Sequence, residues 1–177
     1  KMITSNMALD FAYALFLMLQ KTDEPVADRK RIVQKWYVLS ILTQRYSASP
    51  ESAFAKDLKV ISEVGIRKAL KNIEDATLSD NFWDVALVQN LSYASSLNPT
   101  YLTFLAAQIY NAEESLLSQN IRVSELVTLG GDVHHIFPKK YLMEHGFERS
   151  AYNQTANYAY LETPVNISIG KKSPKDY

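Results

Sequence analysis

The spacing of apolar residues changes once along this chain, at Gly130-Gly131, and that change restricts the fold more than any other feature. Upstream the period is helical, from residue 3 to about residue 127. Met7, Phe11, Leu15 and Met18 recur at three- and four-residue steps, which draws one apolar stripe along a helix. Ile32, Trp36, Leu39 and Thr43 draw a second. Ser49-Pro50-Glu51 opens a third helix with a hydroxyl cap and then a proline, whose missing N–H costs nothing in a first turn. The helix it opens reads as a long one, with Gly65 a weak point in its middle. Ser79-Asp80 caps a segment carrying Phe82, Val85, Ala86 and Val88. Asn98-Pro99 repeats the cap-then-proline signal before Tyr101, Leu105, Ile109 and Tyr110. About five helices follow, with no internal repeat and no low-complexity segment.

Downstream, β-branched and aromatic residues come in short runs: Val133, Ile136 and Phe137, then Tyr158, Tyr160 and Leu161. Pro138, Gly146 and a polar cluster over residues 153–157 lie between them. This pattern predicts a short strand, a connection with a helical piece over residues 139–145, a second strand, and a terminal turn or helix near Asn166. The glycine pair gives the chain freedom to leave the helical part.

Composition narrows the class. The chain of 177 residues suits one domain, or one domain with a small appended unit. It has no cysteine, which rules out a disulfide framework and thiolate zinc sites, fits a reducing cytosol, and leads to a cytoplasmic expectation. The apolar run over residues 11–19 is too short to span a bilayer, so no membrane partner is expected. A lone basic Lys1 does not make a signal peptide. Lys plus Arg and Asp plus Glu number 19 each, a balance that argues mildly against a nucleic-acid binder while leaving room for a local basic patch. Both ends read as cuts in a longer protein.

The segment Asp132-Val133-His134-His135-Ile136-Phe137-Pro138 carries the chemistry. Within a strand, adjacent histidines point to opposite faces, so they share one site only where the strand ends. Hydrolysis of a phosphodiester needs a general base for the attacking water and a cation for the developing negative charge. An imidazole suits the first task, because its unperturbed pKa of about 6.5 lies near working pH. Asn157, with Leu161 four residues later, and Asn166, nine residues later, complete a spaced set, followed by Lys171-Lys172.

Together these residues resemble the HNH, or His-Me finger, nucleases. Residues 134–139 with Asn166-Ile167, Ile169-Gly170-Lys171 and Pro174 also resemble the C-terminal domain of GmrSD-type modification-dependent restriction endonucleases. The resemblance implies a mainly α fold: a multi-helix region over residues 1–125, serving as scaffold, then a small ββα-metal unit over residues 126–177. It implies a metal-dependent DNA endonuclease of restriction or phage defence, or a catalytically inactive DNA- or protein-binding module on the same finger. His135 would be the general base, His134 and Asn166 would hold one divalent ion, and Asn157 would brace the loop, with Asp132 beside them. Asn153 competes for the brace by residue type, but its distance to Asn166 is wrong. Many such nucleases have Asp at the position of His134. An imidazole there tolerates Mg²⁺, the ion expected, and shifts preference toward Mn²⁺, Ni²⁺ or Zn²⁺. DNA and an upstream ParB-like nucleotide-hydrolysing domain, absent from this chain, are the implied partners.

Among the basic residues near the site, Lys171 and Lys172 have the best claim to phosphate; Lys139, Lys140, Arg149 and Lys175 read as a solvated face. His145, before Gly146, suits a helix end. Trp36, Trp83 and the tyrosines of the helical part read as core and interface rather than base-stacking platforms.

Overall fold

The apolar stripes fold as helices that cover one another. The computed structural model describes residues 5–92, 95, 98–118 and 120–177, so Lys1 and the start of the helical pattern at Ile3 lie outside the described residues. The chain divides into two compact units, Lys1–Ala86 and Leu87–Tyr177.

The first unit is helical. It contains α1 (Asn6–Leu19), α2 (Val26–Leu42), α3 (Pro50–Val64) and α4 (Ile66–Thr77). The Ser5 hydroxyl accepts from the Ala8 N–H and caps α1, while Pro50 stands at the first position of α3, where its ring is harmless. Ser49 gives no side-chain cap, unlike the expectation. Gly65 has a φ of +82°, which ends α3 and starts α4, so the anticipated long helix is two. Phe11, Leu15 and Leu19 from α1, Trp36 and Leu39 from α2, Ile61 and Ala69 form the core. The ring of Phe11 meets those of Trp36, Tyr46 and Phe54. Beyond α4 the chain makes a π-helical turn over Phe82–Ala86, which leaves Trp83 half-exposed rather than in the core.

The second unit holds α5 (Leu87–Ser92), α6 (Pro99–Tyr110), α7 (Val123–Leu129), β1 (Asp132–His135), α8 (Lys139–Glu144), α9 (Arg149–Tyr152), β2 (Tyr158–Leu161) and α10 (Thr163–Ile169). The Asn98 side chain caps α6 by accepting from the Thr100 N–H at 2.8 Å. Strands β1 and β2 pair antiparallel, with Asp132 opposite Leu161 and His135 opposite Tyr158. Alternation puts Val133, His135, Tyr158 and Tyr160 on one face of this ribbon, and Asp132, His134, Ala159 and Leu161 on the other. Tyr101 and Leu102 of α6 cover the first face against Tyr158 and Val133; Val165 and Ile169 of α10 cover the second against Ala159 and Leu161. A two-stranded ribbon alone is marginal, and this helix on each face supplies its burial.

The mainly α expectation with a small two-stranded sheet therefore holds. The compact unit that carries the strands opens at Leu87, however, well before the change of texture at Gly130-Gly131. Helices α6 and α7 belong with the ribbon because they pack on it, and apolar period alone does not reveal what a helix packs on. No helix among the described residues is long and apolar enough to cross a membrane.

Candidate functional site

Gly130 and Gly131 set the entry to β1. Gly130 closes α7 in the left-handed region, and the Gly131 N–H returns to the Leu126 carbonyl at 2.8 Å. Gly131 then passes so close to the ribbon that a Cβ there would lie 2.7 Å from the Leu161 carbonyl oxygen. β1 runs only to His135, after which the Ile136 N–H donates to the Asn157 carbonyl and the chain turns at Pro138 into α8.

Asn157 holds that turn. Its side-chain oxygen accepts from the Phe137 N–H at 2.7 Å, and its amide nitrogen donates to the carbonyls of Phe137 at 3.1 Å and Tyr152 at 3.0 Å. It is buried, and these bonds use its acceptor and both donors. The turn after the two histidines is thus tied to the segment that leads into β2.

His134 is 3% exposed and faces α10. Its Nδ1 lies 2.8 Å from Asn166 Oδ1. The Asn166 amide nitrogen lies 3.4 Å from the Asp132 carboxylate, which orients the amide so that its oxygen meets His134. Since an amide oxygen only accepts, Nδ1–H donates. Nε2 lies 3.4 Å from the Tyr177 hydroxyl, and that hydroxyl already donates to the Ile136 carbonyl. Burial holds His134 below the ordinary imidazole range; the Asn166 bond pulls the other way, and the adjacent His135 adds to the lowering.

His135 lies on the opposite face of the ribbon. Its Nε2 is 3.0 Å from Asn153 Oδ1. The rings of Tyr158 and Tyr152 stand edge-on to it, with centroids at 5.1 and 6.1 Å. Its Nδ1 has no hydrogen-bond partner among the described residues.

Both histidines nevertheless border one cleft of about 570 Å³, together with Val133, Pro138, Lys139, Lys140, Met143, Asn166 and Gly170. Of the expected site residues, His134, His135 and Asn166 meet at this cleft; Asp132 and Asn157 support them from beside and below. The cations that line it are Lys139 and Lys140, which the sequence reading left on a solvated face, and Lys139 also lies over the Tyr152 ring at 5.7 Å. Lys171 instead pairs with Glu144 at 3.0 Å, and neither it nor Lys172 lines the cleft. His145 ends α8, its ring tilted against that of Tyr141. Tyr152 and Tyr177 gave no signal in the sequence, and Asn153 was weighed only as a rival brace, because each reaches a histidine only through the fold.

The donor set fits one cation. Neutral His134 has a single ring proton, yet an oxygen faces each ring nitrogen, and neither oxygen brings a proton to it. An ion at Nδ1 would replace the proton that bridges to Asn166 Oδ1; the two atoms, 2.8 Å apart, have the separation of neighbouring ligands on one ion with bonds of about 2.1 Å. No cluster of three His, Asp or Glu side chains suited to a metal occurs among the described residues. An ion held by His134 and Asn166 would therefore take the rest of its shell from water and substrate, as Mg²⁺ commonly does.

No protein-family model matches the chain, and no solved structure matches it. It is similar to an uncharacterized protein of Methanocaldococcus jannaschii, with 28% identity over 159 residues, which are 89% of this chain and 26% of that protein. The chain thus spans about a quarter of the length of the curated relative it matches.

Proposed function

We propose that this chain is a metal-dependent DNA endonuclease module that hydrolyses phosphodiester bonds at the cleft beside β1. One observation carries the reading: the imidazole of His134 and the amide oxygen of Asn166 lie side by side, and the adjacent His135 opens to the same cleft from the other face of the ribbon. That arrangement separates a cation site from a proton acceptor while keeping both within reach of one phosphate. The ribbon followed by α10 is consistent with the finger of HNH nucleases, and the spacing of His134, His135, Asn157 and Asn166 supports that reading.

His135 accepts a proton from water as its oxygen attacks phosphorus. The new P–O bond forms, the bond to the leaving sugar oxygen breaks, and that oxygen leaves with a proton from solvent. His134 and Asn166 would hold the divalent ion, Mg²⁺ in first place, and the chemistry it would supply is to offset negative charge on the phosphate. Lys139 and Lys140 offer positive charge to the DNA backbone along the cleft wall, taking the task first given to Lys171 and Lys172. Asn157 keeps the turn after His135 in place.

The much greater length of the Methanocaldococcus jannaschii relative fits a module that serves a larger protein. In this reading an upstream ParB-like nucleotide-hydrolysing domain governs a cut made for restriction or phage defence. The test is nicking of plasmid DNA with Mg²⁺ or Mn²⁺. His135→Ala is expected to lower the rate about 100-fold or more, the usual contribution of a general base. Equal cutting by wild type and His135→Ala, in the full-length protein as well, sinks the assignment. Intact binding with no cutting by wild type under any divalent ion points to the inactive binding module.

A further inference from the structure

We propose that Asn153 is a positioning residue that fixes which nitrogen of His135 faces the cleft. The inference rests on the nuclease reading for the use made of that nitrogen, and on geometry alone for the tautomer. Asn153 Oδ1 lies 3.0 Å from His135 Nε2. An amide oxygen has no proton to give, so a neutral His135 meets it as Nε2–H. The lone pair is then on Nδ1, the nitrogen with no partner among the described residues, on the ring that borders the cleft.

The surroundings leave the ring little choice. Tyr158 stands directly across the ribbon at 90° to it, and Tyr152 flanks it at 67°, so two aromatic rings hold the imidazole plane and the bond to Asn153 selects between its two flips. Tyr152 is itself tied down, because its carbonyl accepts from the Asn157 side chain. Asn153 follows Tyr152 directly, at the end of α9. One buried asparagine thus holds both the turn after the base and the segment that presents the residue orienting it. Asn153 touches neither the cleft nor His134, which separates its task from metal binding.

The experiment is nitrogen NMR of the metal-free protein at a pH where imidazole is neutral, with His135 assigned from a His135→Gln spectrum. Wild type is expected to show a pyrrole-like Nε2 and a pyridine-like Nδ1. Asn153→Leu, which keeps size and loses the acceptor, should bring a mixture of tautomers; Asn153→Asp, which keeps an acceptor oxygen, should restore Nε2–H. In DNA cleavage, Asn153→Leu should lower kcat about 10-fold or more with KM within about 2-fold, and Asn153→Asp should recover most of it. A wild-type ring that is chiefly Nδ1–H overturns the proposal, as does a tautomer unmoved in a folded Asn153→Leu protein. If the tautomers behave as expected while wild type fails to cut DNA with any divalent ion, the positioning stands and the nuclease reading falls.

Discussion

At the scale of single residues, His134 has the most to say. It is buried, neutral and faced by an oxygen at each nitrogen. Burial lowers its pKa below the unfolded value near 6.5, so between the two values the unfolded chain binds more protons than the folded one. Stability from this group is complete above about 6.5 and is lost as pH falls through the folded value. Urea midpoints are therefore expected to drop as pH goes from neutral toward the carboxylate range, and His134→Gln should flatten that part of the curve; an unchanged slope would remove His134 from the account. Affinity for Mn²⁺ should weaken over the same window, since proton and ion compete for the ring. His134, His135, Asn157 and Asn166 were legible in the sequence because their spacing survives without knowledge of the fold. Asn153 was passed over as a rival brace, because only the return of α9 to the end of β1 brings it to His135. The sequence ranked Lys171 above Lys139, and the fold reverses their places: a turn at Pro138 sends Lys139 to the cleft, and Glu144 takes Lys171.

At the scale of elements, helices announced themselves where an apolar stripe met a cap. The stripe through Phe11 and Leu15 and the Asn98-Pro99 start appear where the period placed them. The strands were legible as short β-branched runs, and the element after β2 only as a turn or helix near Asn166. What stayed hidden was which helices serve the ribbon, since α6 buries Tyr101 and Leu102 with a stripe like any other. The joint between α7 and β1 shows the same limit. Two glycines suggested freedom, yet they do different things: Gly130 supplies a positive φ, and Gly131 supplies closeness to Leu161. Gly131→Ala is expected to cost about 1–3 kcal/mol in urea unfolding, because the contact at 2.7 Å is with backbone and the ribbon itself has to move. A neutral result would show that the joint yields. The same shift would carry β1, so the His135 ring signal should move with it.

At the scale of the whole molecule, neutrality conceals two units with different contents. The described residues of the first unit place their most buried charge, Asp57, inside a structural network. Asp57 is 1% exposed and accepts from Arg45 Nε at 2.7 Å, Arg45 Nη2 at 2.5 Å and the Tyr46 hydroxyl at 2.8 Å. This joins α3 to the segment after α2, beside the ring cluster around Phe11. A buried pair of this kind is poor evidence of net stabilisation, because desolvation opposes attraction, but removing one partner leaves the other charge uncompensated. Asp57→Asn is accordingly expected to cost about 3 kcal/mol, measured by urea denaturation followed through Trp36 fluorescence. Its reach should be limited. The histidines, both cleft lysines and every residue assigned to the chemistry lie in the unit from Leu87 onward. Asp57→Asn should therefore leave the His135 tautomer and the nicking rate of the folded protein unchanged, whereas a helical unit that contributes to the chemistry would move both. That contrast separates a scaffold from a participant, and it does so without cutting the chain.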